Sequence, residues 1–299
     1  MEIAHREILG DNHKMGPARI VVGVNSAPEA NEALDWALAE ARERQAELVL
    51  VCASPQWVGN TAADEARRRQ RADEILAQVR QREALLKLPP DSVQLRIEII
   101  PGSAREALLG TSRGASMLVL GRRRMGTIGR LVLGSVSSEV VERAEVPVTV
   151  VRESHVYHRS WPIVVGVDSS AASQRALQHA AAEAMATGSD LHAVFAWQIT
   201  TLAPLPGSWG WAPPLEEYQK FALTTLDGLL VAANLPLPHD RVKAEVIHNA
   251  AAPALISASR NASRIVVGAR GVGGFEQLLL GSVSRQVLEY ANCPVTVVR

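Results

Sequence analysis

Short, uninterrupted apolar runs recur along the chain, and longer stretches with helical periodicity separate them. Ile20–Val24 and Ile163–Val167 are continuous β-branched runs, as expected of strands buried on both faces. After the first, Ala33, Leu34, Ala37, Leu38 and Ala41 form an apolar stripe at helical spacing. Further strands are predicted over Leu48–Cys52, Val93–Ile100, Met117–Leu120 and the PVTVV at 147–151, with helices over 63–87 and from the GSVS at 134–137. The second half repeats this order. Its strands are Leu191–Phe195, Arg241–Ile247, Arg264–Val267 and PVTVV at 294–298, with helices over 214–233 and from GSVS at 281–284. Strands alternating with helices predict right-handed crossovers and a parallel sheet covered on both faces. The pattern is a doubly wound α/β domain, written twice.

The repetition extends to residue identity. Residues 117–152 align with 264–299 without a gap, at an offset of 147, and 19 of the 36 positions are identical. The openings at Ile20 and Ile163 align at an offset of 143, so four extra residues fall between, most simply in QITTLAPLPGSWGWAPP. Self-similarity over half a chain marks duplicated domains rather than a solenoid. The expected organisation is a flexible leader over 1–18, with Met15 an alternative start, a first domain over 19–152, a linker over 153–161 and a second domain over 162–299.

Composition narrows the classes. With 31 basic and 31 acidic residues the net charge is zero, so no global field points to nucleic acid or a membrane surface. No apolar run approaches the ~18 residues of a spanning helix, and the N-terminal stretch lacks the apolar core of a signal peptide. Cys52 and Cys293 lack metal-ligand or CxxC spacing and are expected to be reduced, buried thiols of a cytoplasmic protein. No histidine pair has metal spacing. Arg122–Arg123–Arg124 is expected to be a solvated loop, and Trp209 and Trp211 to pack over a domain or an interface.

Ligands of doubly wound folds bind beyond the carboxyl ends of the strands, where strand order reverses. Asp168 follows the first strand of the second half. After the fourth strand come Gly268, Gly271 and Gly281–Ser282, spaced G-x2-G-x9-G-S. Glycine permits close backbone approach, and a helix opening at Gly281–Ser282 presents unpartnered amides to an anion such as phosphate. Ser282 and Ser284 would add hydroxyl donors. A P-loop is excluded because serine, not lysine, follows Gly134 and Gly281; a dinucleotide fingerprint is excluded because the glycines follow the fourth strand, not the first.

The passage VVGARGVGGFEQLLLGSVSRQVLEYANCPVTVV resembles the ATP-binding motif of the universal stress protein family, and IVVGVDSS resembles its first strand and acid. The resemblance covers 19–152 and 162–299. It implies a five-stranded parallel sheet of order 3-2-1-4-5 in each domain, joined by the last strands as a homodimer or by pairing within the chain. It implies ATP, with or without Mg²⁺, as the ligand. Asp168 matches the acid facing the nucleoside, the backbone of Gly166, Val167 and Ala196 would line the adenine, and Gly268, Gly271, Gly281, Ser282, Val283 and Ser284 would hold ribose and phosphates. The first-half counterparts are Gly23, Val24, Asn25, Ala53, Gly121, Arg124, Gly134, Ser135, Val136 and Ser137. Asn25 departs from the family acid and Arg124 from its second glycine, so the second site is expected to be the stronger. Arginine suits phosphate, so Arg124 either contacts the ligand or obstructs it. The function implied is an ATP-binding regulator of stress adaptation or growth. The alternatives are a nucleotide-independent interaction module and a slow ATPase or autophosphorylating enzyme.

Overall fold

A computed structural model describes residues 18–25, 28–54, 61–122, 134–152, 158–198, 215–272 and 279–299. The leader up to residue 17, His155, Trp209, Trp211 and Arg124 lie outside the described residues.

The first half runs β1 (Arg19–Gly23), α1 (Pro28–Glu43), β2 (Glu47–Ser54), α2 (Ala62–Leu85), β3 (Leu95–Pro101), α3 (Ala104–Ser112), β4 (Met117–Gly121), α4 (Ser135–Arg143) and β5 (Val148–Val151). The second runs β6 (Ile163–Gly166), α5 (Ala171–Thr187), β7 (Leu191–Trp197), α6 (Leu215–Ala233), β8 (Val242–His248), α7 (Ala251–Ala258), β9 (Arg264–Gly268), α8 (Ser282–Tyr290) and β10 (Val295–Val298). All ten strands form one sheet, in the order β3-β2-β1-β4-β5-β10-β9-β6-β7-β8. Each half therefore has the expected order 3-2-1-4-5, and the two last strands pair within the chain.

That central pair is antiparallel, with Thr149 opposite Thr296 and their hydroxyls 2.8 Å apart in the core. The apolar core crosses the seam: Val140, Val141 and Val148 belong to the same buried cluster as Val287, Leu288 and Val295.

Arginines fasten the halves reciprocally. Buried Arg122 donates to the carbonyls of Leu288 and Glu289 (2.7 Å to the latter) at the end of α8, and Arg152 donates to that of Ala291. In return, Arg299 donates to the Val141 carbonyl (3.3 Å) and to that of Glu142 at the end of α4. Cations are favourable at helix C-termini, where carbonyls lack intrahelical partners. The expected solvated position of Arg122 is thus corrected, because the adjoining half supplies acceptors that no local window of sequence contains. Burial, and then its neighbour Arg152, pull its pKa down to about 10.

On the other face of the sheet an ionic cluster ties α1 to α5. Glu40 and Glu183 are repeat counterparts at the offset of 143. Arg264 donates to both Glu40 carboxylate oxygens (2.7 Å each) and to Glu183. Arg44 donates to Glu40 at 2.7 Å and also pairs with Glu183. The Arg264 guanidinium carbon lies 4.8 Å from the Trp36 ring centroid, and Arg159 reaches from the expected linker to Glu43 at 2.5 Å.

This cluster sets the acid response. Burial alone would raise the Glu40 pKa, but Arg264 and Arg44 outweigh it and hold the group at about 2, against an ordinary 4.5. Burial pushes His179, beside Glu183, below its ordinary 6.5. For a depressed carboxylate, the stabilisation is present above the unfolded pKa and lost as pH falls through the folded one. For a depressed histidine, only the unfolded chain takes up the proton just below the ordinary value, which also lowers stability. Stability should therefore decline from about pH 6.5 downward and more steeply below about 4.5. Urea midpoints measured between pH 7.5 and 4 test this; a constant midpoint would contradict it.

Candidate functional site

The carboxyl ends of β6 and β9 border a cleft of about 320 Å³. All ten second-half residues singled out from the sequence line it: Gly166, Val167, Asp168, Ala196, Gly268, Gly271, Gly281, Ser282, Val283 and Ser284. The sequence reading missed Ser173 and Arg270 and the wall formed by Ala251 and Leu255 of α7. The apolar stripe of α7 reads as ordinary core, and only the three-dimensional crossover turns part of it toward the cleft.

Backbone amides hold Asp168 in place. Its Oδ1 accepts from the Ser170 amide at 2.9 Å and its Oδ2 from the Val272 amide at 3.1 Å. Its own amide donates to the buried Ser173 hydroxyl at 2.8 Å. Each carboxylate oxygen keeps further acceptor capacity, suited to a hydroxyl-bearing ligand. Gly271 makes this arrangement possible, since a Cβ there would stand 2.5 Å from Asp168 Oδ2.

Gly268 has a different reason. A Cβ there would meet the Ala172 carbonyl carbon at 2.8 Å and oxygen at 2.9 Å. The glycine admits the first turn of α5 against β9, so packing by itself requires it.

α8 begins at Gly281, whose backbone is extended and which offers no side-chain cap. The Gly281 amide donates to the Ala269 carbonyl (2.7 Å), and the first amide to reach back to Gly281 is that of Arg285 (3.0 Å). The amides of Ser282, Val283 and Ser284 precede any i−4 partner and carry the positive end of the helix dipole. They border the cleft together. The Ser284 hydroxyl, expected as a ligand donor, instead donates to the Gly268 carbonyl at 2.7 Å. It closes the joint between β9 and α8, leaving Ser282 as the exposed serine of the cleft lining.

The first half has a matching cleft of about 300 Å³, lined by Gly23, Val24, Asn25, Ala53, Gly121, Gly134, Ser135, Val136 and Ser137. Arg124, its remaining predicted member, lies outside the described residues. A third departure appears here: Ala30 stands at the counterpart of Ser173, so the hydroxyl that receives the Asp168 amide has no equivalent.

Comparison with known proteins is consistent with this architecture. The model of the universal stress protein family matches residues 17–152 and 162–299. The chain belongs to the universal stress protein family. Similar universal stress proteins include one from Mycolicibacterium smegmatis, 32% identical over 289 residues that cover 94% of this chain and 96% of the relative. Another, from Mycobacterium tuberculosis, is 32% identical over 294 residues with the same two coverages. The crystal structure of a universal stress protein from Archaeoglobus fulgidus shares the fold, with a TM-score of 0.68 at 18% identity over 94% of this chain and 98% of that one. No helix among the described residues of this universal stress protein is long and apolar enough to cross a membrane.

Proposed function

We propose that this universal stress protein binds ATP in the second-half cleft and acts as a cytoplasmic regulator of stress adaptation or growth. The observation that carries the reading is the convergence, in one cleft of about 320 Å³, of an amide-held carboxylate and an uncapped helix start. Asp168 accepts from the ribose hydroxyls, which are donors. The amides of Ser282, Val283 and Ser284 receive phosphate oxygens. Adenine lies along the backbone of Val167 and Ala196, against the apolar side chains of Val194, Leu255 and Val267.

Both Asp168 oxygens already accept amides, and no second acid lines the cleft among the described residues. The lining therefore offers a Mg²⁺ ion little beyond what the phosphates bring. The same lining lacks a paired acid and base for hydrolysis, which favours binding over catalysis. The first-half cleft, with Asn25 in place of the carboxylate, binds more weakly, because a neutral amide oxygen makes the weaker hydrogen bond.

The test is to denature protein purified without added nucleotide, identify any small molecule released, and titrate the emptied protein with ATP by calorimetry. The expected result is adenine nucleotide and one strong site per chain. Absence of released nucleotide, together with no binding heat at millimolar ATP, would overturn the reading.

A further inference from the structure

The helix α6 presents an apolar seam to solvent as well as to the sheet. Ala222, Leu226 and Ala233 are buried beneath it. On the opposite side Phe221, Thr224, Gly228 and Val231 stand at i, i+3, i+7 and i+10, the spacing of a coiled-coil seam. Phe221 is 53% exposed and Val231 73%. The Thr224 hydroxyl already donates to the Lys220 carbonyl at 3.0 Å, so covering it would strand no donor. No neighbour within the chain requires Gly228, since a Cβ there would meet nothing within 4 Å. Glycine weakens a helix interior but lets another backbone approach closely.

The repeat shows that the fold does not demand this face. α2 is the counterpart at the offset of 147. Fully buried Val79 matches fully buried Leu226, and Lys87 and Asn234, both of positive φ, follow the two helices at the same offset. The seam positions of α2 are Glu74, Ala77, Gln81 and Ala84, a solvated face. The flanking charges are reversed: Lys220 and Asp227 of α6 correspond to Asp73 and Arg80 of α2. Lys220 and Asp227 are exposed, and among the described residues neither joins an ion pair.

We propose that the outer face of α6 joins two copies of this chain, helix antiparallel to helix about a two-fold axis. Antiparallel seams set a positions against d positions. Phe221 of one copy then meets Val231 of the other, and Thr224 meets Gly228. The same register lays Lys220 of each copy beside Asp227 of the other, two ion pairs on the flanks of the seam, where charge selects partner and orientation. A parallel pair would set Lys220 against Thr225 and Asp227 against Ala232, with no charge matched. Nor can α2 of another copy take the place, because its Arg80 would face Lys220 and its Asp73 would face Asp227. The last strands are already paired within the chain, so self-association needs a surface of this kind. One helix pair lies at the small end of specific interfaces, below about 1,200 Å² in total, which points to a reversible dimer. This inference stands apart from the nucleotide reading, since no residue of α6 lines either cleft.

Sedimentation of the full chain between about 1 and 200 µM tests it, and a concentration-dependent dimer is expected. Lys220→Asp and Asp227→Lys each oppose like charges and should weaken that dimer at least about tenfold. Both positions are exposed, so circular dichroism and melting temperature should stay at the parent values. An equimolar mixture of the two variants should restore dimers, because each supplies the charge that the other lacks. The double variant, with the charges exchanged, should dimerise like the parent. A chain still monomeric at about 200 µM would overturn the proposal and leave the face to a different polypeptide. Parental affinity in the folded single variants, or a mixture that stays monomeric, would overturn it equally.

Discussion

Replacing Arg264 with alanine should destabilise the protein by about 3–5 kcal/mol, the usual cost of removing one partner from a buried ion pair. The residue is 4% exposed and Glu40 is fully buried, so the carboxylates left behind gain little from water. Arg44 remains but must then serve both Glu40 and Glu183. In a protein of this size the loss should appear as a fall in melting temperature of roughly 5–15 °C. It should also loosen α1 from α5, because Arg264 is contributed by β9 while Glu40 stands 224 residues away on α1. Replacing Arg264, Arg44, Glu40 and Glu183 together with apolar residues of similar volume should cost less than the single change, since the cluster would then leave no stranded charge among its members. A single-variant loss below about 1 kcal/mol would show that the cluster is effectively hydrated.

Gly271→Arg should weaken ATP binding at the second site by about 10- to 150-fold, while circular dichroism and thermal unfolding stay close to those of the parent. The added Cβ would lie 2.5 Å from Asp168 Oδ2, so the carboxylate must turn and surrender the Val272 amide. A carboxylate so turned no longer accepts from the ligand hydroxyl, and loss of that hydrogen bond to a charged group costs about 1.5–3 kcal/mol, which is the stated range of affinity. The first half carries Asn25 and Arg124 at the same two positions, which identifies the pair as one unit. Adding Asp168→Asn to Gly271→Arg should then cost far less than the sum of the separate changes, as in any coupled pair. Calorimetric affinity and stoichiometry unchanged in Gly271→Arg would remove Asp168 and Gly271 from the site.

The strands and the cleft were legible because both are written locally. Continuous β-branched runs mark β1 and β6, and the interval from Gly268 to Ser282 is a backbone feature confined to one crossover. Gly268 was legible as a required glycine but not for its reason, since its neighbour is the carbonyl of Ala172 on a different element. The charged interior was not legible. Glu40 and Glu183 lie within alanine-rich helices, and Arg264 reads as the polar boundary of a strand. Each is buried only because a partner arrives from elsewhere in the chain. Arg122 was obscure for the same reason: three consecutive arginines look solvated until α8 offers its carbonyls.

The antiparallel seam of β5 and β10 has a bearing on heredity. When identical single domains associate, every mutation enters both halves of the pair at once. Here the seam joins two separately encoded halves in each molecule, so one can drift while its companion is held under selection. Asn25 with Arg124 and Asp168 with Gly271 are consequently present in strict one-to-one ratio, never two of a kind. The fusion makes an obligate heterodimer from a duplicated ancestor, without any need for the unlike halves to find each other.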